Sequence, residues 1–149
     1  MNKLEALAEE IKACTKCPLR EGVNAPVPGF GSITAKYILI GEAPGKNEDR
    51  EGVPFIGMAG KRLNQLVDIS PIDINDCYLT NVCRCRPEGN RNPRKAEIRS
   101  CVSYLWREIR LIKPQMVVTL GAIPLSLFSP NGVKSTHGTF LEAEIPDED

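Results

Sequence analysis

The sequence predicts an α/β protein of three layers (α/β/α), with helices on both faces of a central parallel sheet. Three observations lead there. Short apolar runs at 37–40, 77–83 and 116–120 each read as a buried strand. Each run ends at a polar loop, and each loop leads into apolar residues at helical spacing. Strand, loop and helix repeated three times implies parallel pairing, because parallel neighbours need a crossover between them. The three loops then open at one sheet edge, where such a sheet builds its ligand crevice.

Leu4, Leu7, Ala8 and Ile11 place an amphipathic helix over 2–13. It runs into Cys14-Thr-Lys-Cys17-Pro18, a tight turn that aims two thiolates at one metal. Residues 19–35, with Pro26, Pro28, Gly29 and Gly31, read as loop. The first strand stops at Gly41, and the loop that follows organises the rest of the chain. It carries Glu42, Glu48, Asp49 and Phe55 among Gly41, Gly45, Gly52, Gly57 and Gly60. Leu63, Leu66 and Val67 continue it as a helix over 60–69, stopped by Ser70-Pro71. Residues 72–76 connect to the second strand, which ends in polar residues beginning with Asn81. Pro93 suits the first turn of a helix reaching Ile112, with Pro114 beyond its end. The third strand meets Gly121, then a short helix to Phe128, a turn at 129–132 and a weakly alternating stretch at 139–145.

At 149 residues the chain reads as one domain, 1–149. Its formal net charge is zero, so any nucleic-acid site must be a local patch rather than a global field. No apolar run is long enough to span a bilayer, and the N-terminus lacks a signal-peptide core. The expectation is a cytoplasmic monomer whose six cysteines are metal ligands or buried thiols rather than disulfides.

Four cysteines stand out: Cys14 and Cys17, two residues either side of the turn, and Cys85 and Cys101, which bracket a basic loop. Four thiolates from two ends of a domain suit an iron–sulfur cubane or a structural zinc. The competing reading makes Cys85 and Cys101 ordinary buried thiols. Cys77 and Cys83 read as packing residues. Between 84 and 99 lie Arg84, Arg86, Arg91, Arg94, Lys95 and Arg99 against Glu88 and Glu97, a patch suited to a phosphate backbone or else a solvated face. Gly41-Glu-Ala-Pro-Gly45-Lys-Asn is not a nucleoside-triphosphate loop, because its glycines are too close and Asn47 stands where Ser or Thr would hold magnesium. His137, alone of its kind, reads as a loop residue.

Taken together, Gly41-Glu-Ala-Pro-Gly45, Glu48-Asp49, Gly52-Val-Pro-Phe-Ile-Gly-Met-Ala-Gly60, Leu79-Thr-Asn-Val-Cys-Arg-Cys-Arg-Pro87, Gly89-Asn90-Arg91 and Cys101 resemble the family 4 uracil-DNA glycosylases. These are thermophile-type enzymes with a [4Fe-4S] cluster, and the resemblance runs from Leu4 to about Phe140. It implies Cys14, Cys17, Cys85 and Cys101 as cluster ligands. It implies Gly41, Ala43, Phe55 and Asn81 around uracil, with Phe55 stacked on the base and Asn81 reading its Watson–Crick edge. Glu42 and Glu48 would flank the deoxyribose, Glu48 being favoured, with Asn90 orienting carboxylate or water. Arg86, Arg91 and Lys95 would face DNA phosphates, and the cluster would be structural. The activity implied is N-glycosidic cleavage that releases uracil and leaves an abasic site. The family also carries a further strand ending in a His-Pro-Ser type motif. This sequence closes at Pro146-Asp-Glu-Asp149 before any such segment. The expectation is therefore a C-terminally shortened chain lacking that edge strand. A catalytically weak or inactive DNA-binding module is the alternative, and a zinc-stabilised nucleic-acid binder a third.

Overall fold

The middle strand of the sheet, β1 (Tyr37–Gly41), is flanked by β2 (Cys77–Asn81) and β3 (Met116–Thr119), both parallel to it. The computed structural model describes residues 1–136 and 138–146; His137 and the tail beyond Pro146 lie outside them. Among the described residues six α-helices surround the sheet: α1 (Lys3–Lys12), α2 (Lys46–Glu51), α3 (Met58–Asp68), α4 (Lys95–Ile112), α5 (Ala122–Ser126) and α6 (Val133–Thr136).

Alternation along β1 sorts its side chains between two layers. Ile38 and Ile40 face a core made with Leu4 of α1, Leu105, Ile109 and Ile112 of α4, and Tyr78 and Val82. Leu39 faces the other way, toward Leu63 and Val67 of α3 and toward Cys77. Burying each such aliphatic side chain is worth about 1.5–3 kcal/mol. The sheet is thus covered on both faces, the predicted three-layer arrangement. Leu7 and Ile11 of α1 pack on Tyr104 of α4, which brings the Cys14 turn to the same helix that carries Cys101.

The helix ends follow local chemistry. Asn2 Oδ1 accepts the Glu5 N–H at 2.8 Å and Glu5 Oε2 accepts the Asn2 N–H at 2.8 Å, a reciprocal cap on α1. Lys113 takes a left-handed conformation (φ 52°) after α4, and Pro114 bars continuation. The sequence reading missed α2, whose six residues have no apolar stripe. It also carried the second strand two residues too far: the backbone leaves β2 at Asn81 because Val82 and Cys83 donate to carbonyls of the Gly41 turn. Residues 139–145 form no strand, although their alternation suggested one. Among the described residues no helix is long and apolar enough to cross a membrane.

Register decides the position of the crevice. Gly41 pairs with Asn81, Ile40 pairs with Thr119, and Leu120 N–H donates to the Ile40 carbonyl at 2.9 Å. All three strands therefore release their loops at one edge.

Candidate active site and thiol cavity

Gly41 is the contact point of the crevice. A Cβ there would lie 2.6 Å from Asn81 Oδ1 and 2.6 Å from Cζ of Phe55. Only a residue without a side chain lets the Asn81 amide and the Phe55 ring approach the end of β1 together. Phe55 itself sits at φ 57°, an uncommon conformation for a residue with a Cβ. Its carbonyl oxygen would lie 1.8 Å from a Cβ at position 60, so Gly60 is required where α3 turns beneath it.

The two carboxylates of this loop differ in their surroundings. Glu48 is buried, and its oxygens accept three backbone N–H groups: Gly45 at 3.0 Å, Ile56 at 2.8 Å and Gly57 at 2.5 Å. The Glu42 side chain has no hydrogen bond or ion pair among the described residues, and burial raises its carboxyl above the ordinary glutamate value. Glu48 is the carboxylate that the loop backbone holds. Its acceptor capacity is committed to the backbone, whereas that of Glu42 is not. The Asn81 amide, in a residue 4% exposed, likewise makes no protein hydrogen bond among the described residues. Ala43 follows Glu42 in the same turn, half-buried.

The basic segment is less free than its composition suggests. Arg84 is fully buried and grips Glu108 of α4 through two hydrogen bonds, at 2.9 and 2.5 Å. Tyr78 Oη and Thr80 Oγ1 donate to the same carboxylate. Arg91 forms a two-pronged pair with Glu97 at 2.8 and 2.9 Å and holds that carboxyl down to about 2. Glu97 also accepts the Arg94 N–H at the start of α4. Arg91 is thus paired within the protein, with its side chain still partly exposed. Arg86 donates to Asn90 Oδ1 at 2.6 Å, which leaves the Asn90 –NH₂ without a partner among the described residues. Arg94, Lys95 and Arg99 are exposed with no ion pair among the described residues. They form the outward charge of this face.

Cys14, Cys17, Cys85 and Cys101 line one small pocket that is partly open to solvent. Cys83 lines it too and is buried at 1% exposure, packed in the core as expected. Its i,i+2 spacing from Cys85, which in extended chain puts both on one side, was the available signal. The neighbouring Cys83 thiol and the Arg84 charge hold Cys101 below the ordinary thiol value, while proximity to Cys101 and burial push Cys83 up. Burial pushes Cys85 up to about 12. Lys16, Arg20 and Arg84 also line the cavity, and Arg84 Nε is buried without a hydrogen-bond partner. Among the described residues no three His, Cys, Asp or Glu side chains are arranged to hold a single metal ion. Cys77 lies elsewhere, packed against Leu39 and α3.

Comparison with known proteins gives a consistent set. The family model described as "Uracil DNA glycosylase superfamily" matches residues 28–145. A type-4 uracil-DNA glycosylase of Saccharolobus solfataricus is 44% identical over 122 residues, 81% of this chain and 56% of that protein. A type-4 enzyme of Thermotoga maritima is 40% identical over 84% of this chain and 65% of its own length. A type-5 uracil-DNA glycosylase of Thermus thermophilus is 32% identical over 89% of this chain and 76% of its own length. The chain thus spans 56% to 65% of the length of these type-4 relatives.

Proposed function

The chain belongs to the uracil DNA glycosylase superfamily, and from that premise we propose that it is a repair glycosylase that removes uracil from DNA. The observation that carries this reading is the meeting of the Phe55 ring and the Asn81 amide at Gly41, beside a carboxylate with no protein partner. An extruded uracil stacks on Phe55. The Asn81 amide donates to O4 and accepts from N3–H, a pairing that cytosine, with its edge reversed, does not satisfy. Glu42 holds the attacking water. As the bond from C1′ to uracil N1 breaks, its electron pair leaves with the base and positive charge gathers on the sugar. The water oxygen then bonds C1′, and its proton passes to the Glu42 carboxylate. The products are uracil and an abasic site. Arg94, Lys95 and Arg99, with Arg86, supply the phosphate contacts.

The test is direct. Incubation with a single-stranded oligonucleotide bearing one uracil, followed by alkali, should break the strand at that site. No scission above background at stoichiometric protein removes the enzymatic reading. Tight uracil-DNA binding without scission would leave the alternative, a binding module on the same scaffold.

A [4Fe-4S] cluster fits the thiol cavity by its donor set and by charge. Cys14, Cys17, Cys85 and Cys101 would hold it. The unpartnered Arg84 Nε–H, with Lys16 and Arg20, suits the net negative charge of a thiolate-ligated cluster. When bound, such a group cross-links the N-terminal turn to the loop and helix that carry the cations; glycosidic hydrolysis needs no electron transfer. Cys85→Ser should lower iron content and DNA affinity together, whereas Cys77→Ser should keep both. Metal analysis of the purified protein checks this, and one equivalent of zinc without iron would replace the cluster with a zinc site.

A further inference from the structure

Building on the reading of Phe55 as the base-stacking residue, we infer that Glu48 is a positioning residue: its carboxylate clamps the crevice loop so that the Phe55 ring is held over Gly41. One oxygen accepts the Gly45 N–H, in the turn that leaves β1. The other accepts the N–H groups of Ile56 and Gly57, the two residues that follow Phe55 and lead into α3. A single side chain therefore ties both arms of the loop together.

The loop needs such a tie. Phe55 occupies the left-handed region at φ 57°, which a residue with a Cβ adopts only when its surroundings impose it. Gly60 makes room for the Phe55 carbonyl but contributes no bond to it. Charge-assisted bonds from Glu48 to the next two amides fix the peptide planes immediately after Phe55, and so its ψ and the direction of its ring. A glutamine offers one acceptor oxygen in place of two and turns an –NH₂ toward backbone donors, so one arm is released. An aspartate is one methylene too short to reach both arms.

The experiment is a double-mutant cycle on the full chain: wild type, Phe55→Ala, Glu48→Gln and the double variant. Binding is measured to a single-stranded oligonucleotide carrying one 2′-fluoro-2′-deoxyuridine, whose fluorine suppresses cleavage by destabilising positive charge at C1′. Phe55→Ala should weaken binding about 5- to 100-fold, the scale of one base–aromatic stack. Glu48→Gln should weaken it comparably. The double variant should be no weaker than Phe55→Ala within about 2-fold, because a group that acts through Phe55 has nothing left to position. Amide hydrogen exchange should show faster exchange at Ile56 and Gly57 in Glu48→Gln while β1 and α4 keep their protection. Multiplying effects in the double variant, or unchanged protection at Ile56 and Gly57, overturns the clamp. Unchanged affinity in Phe55→Ala alone removes the stacking reading instead, and the inference with it.

Discussion

Glu108→Ala should cost about 3–5 kcal/mol of folding stability, the usual loss when one partner of a buried ion pair is removed. Glu108 is 0% exposed and Arg84 1% exposed, so the substitution leaves a guanidinium in the core with no counter-charge. It also strips the acceptors of Tyr78 Oη and Thr80 Oγ1. Against a typical total of about 5–15 kcal/mol, that is a large share. At roughly 2–4 °C per kcal/mol for a chain of this size, the melting temperature should fall by roughly 6–20 °C. Thermal or urea denaturation reads the change. Arg84→Met combined with Glu108→Leu should recover much of the loss, since an apolar pair of similar volume needs no charge compensation. A single-variant cost below about 1 kcal/mol would mean that Arg84 escapes to water and the network is not closed.

Glu42→Gln should lower the rate of uracil release by about 10²–10⁴-fold, the range that a positioned general base contributes. Affinity for the 2′-fluoro oligonucleotide should change little, because the proposed stack on Phe55 and contact with Asn81 do not involve Glu42. The pH dependence follows from the same group. Burial disfavours its charged form, so the folded protein binds that proton at a higher pH than an ordinary glutamate. The rate should fall on acidification through this raised value, above the usual 4.5, and Glu42→Gln should abolish that limb of the profile. The stability sign is the reverse of the usual carboxylate case. The folded state holds the proton more tightly than the unfolded chain, so stability declines as pH rises between the ordinary and the raised value. Retention of full rate by Glu42→Gln would assign the water to another group.

Local pattern alone carried the architecture. The apolar run at 37–40 is buried on both faces, so its hydrophobicity was continuous and readable as a central strand. The stripe on α4 and the stops at Pro71 and Pro114 marked the crossovers, and three strand–loop–helix units leave few topologies. The meeting of the glycine-punctuated loop and the Asn81 loop was likewise legible, because strand ends in such a sheet share an edge; Phe55 was singled out only by the family resemblance. Helix α2 was not, having six residues and no apolar face.

What the sequence could not determine was which polar groups are spent on the protein itself. Arg84 and Arg86 look alike in a basic run, yet the first is sealed against Glu108, which lies 24 residues away on α4, and the second reaches Asn90. Arg91 is absorbed by Glu97. Glu42 and Glu48 are both acidic residues of one loop, but three backbone amides converge on Glu48 and none on Glu42. Cys83 joins the thiol cavity only because the chain leaves β2 at Asn81. Composition and periodicity record which side chains are present and which face is apolar. Whether a charge or an acceptor is free for a ligand depends on long-range partners, and only the packing of α4 and the crevice loop against the sheet decides that.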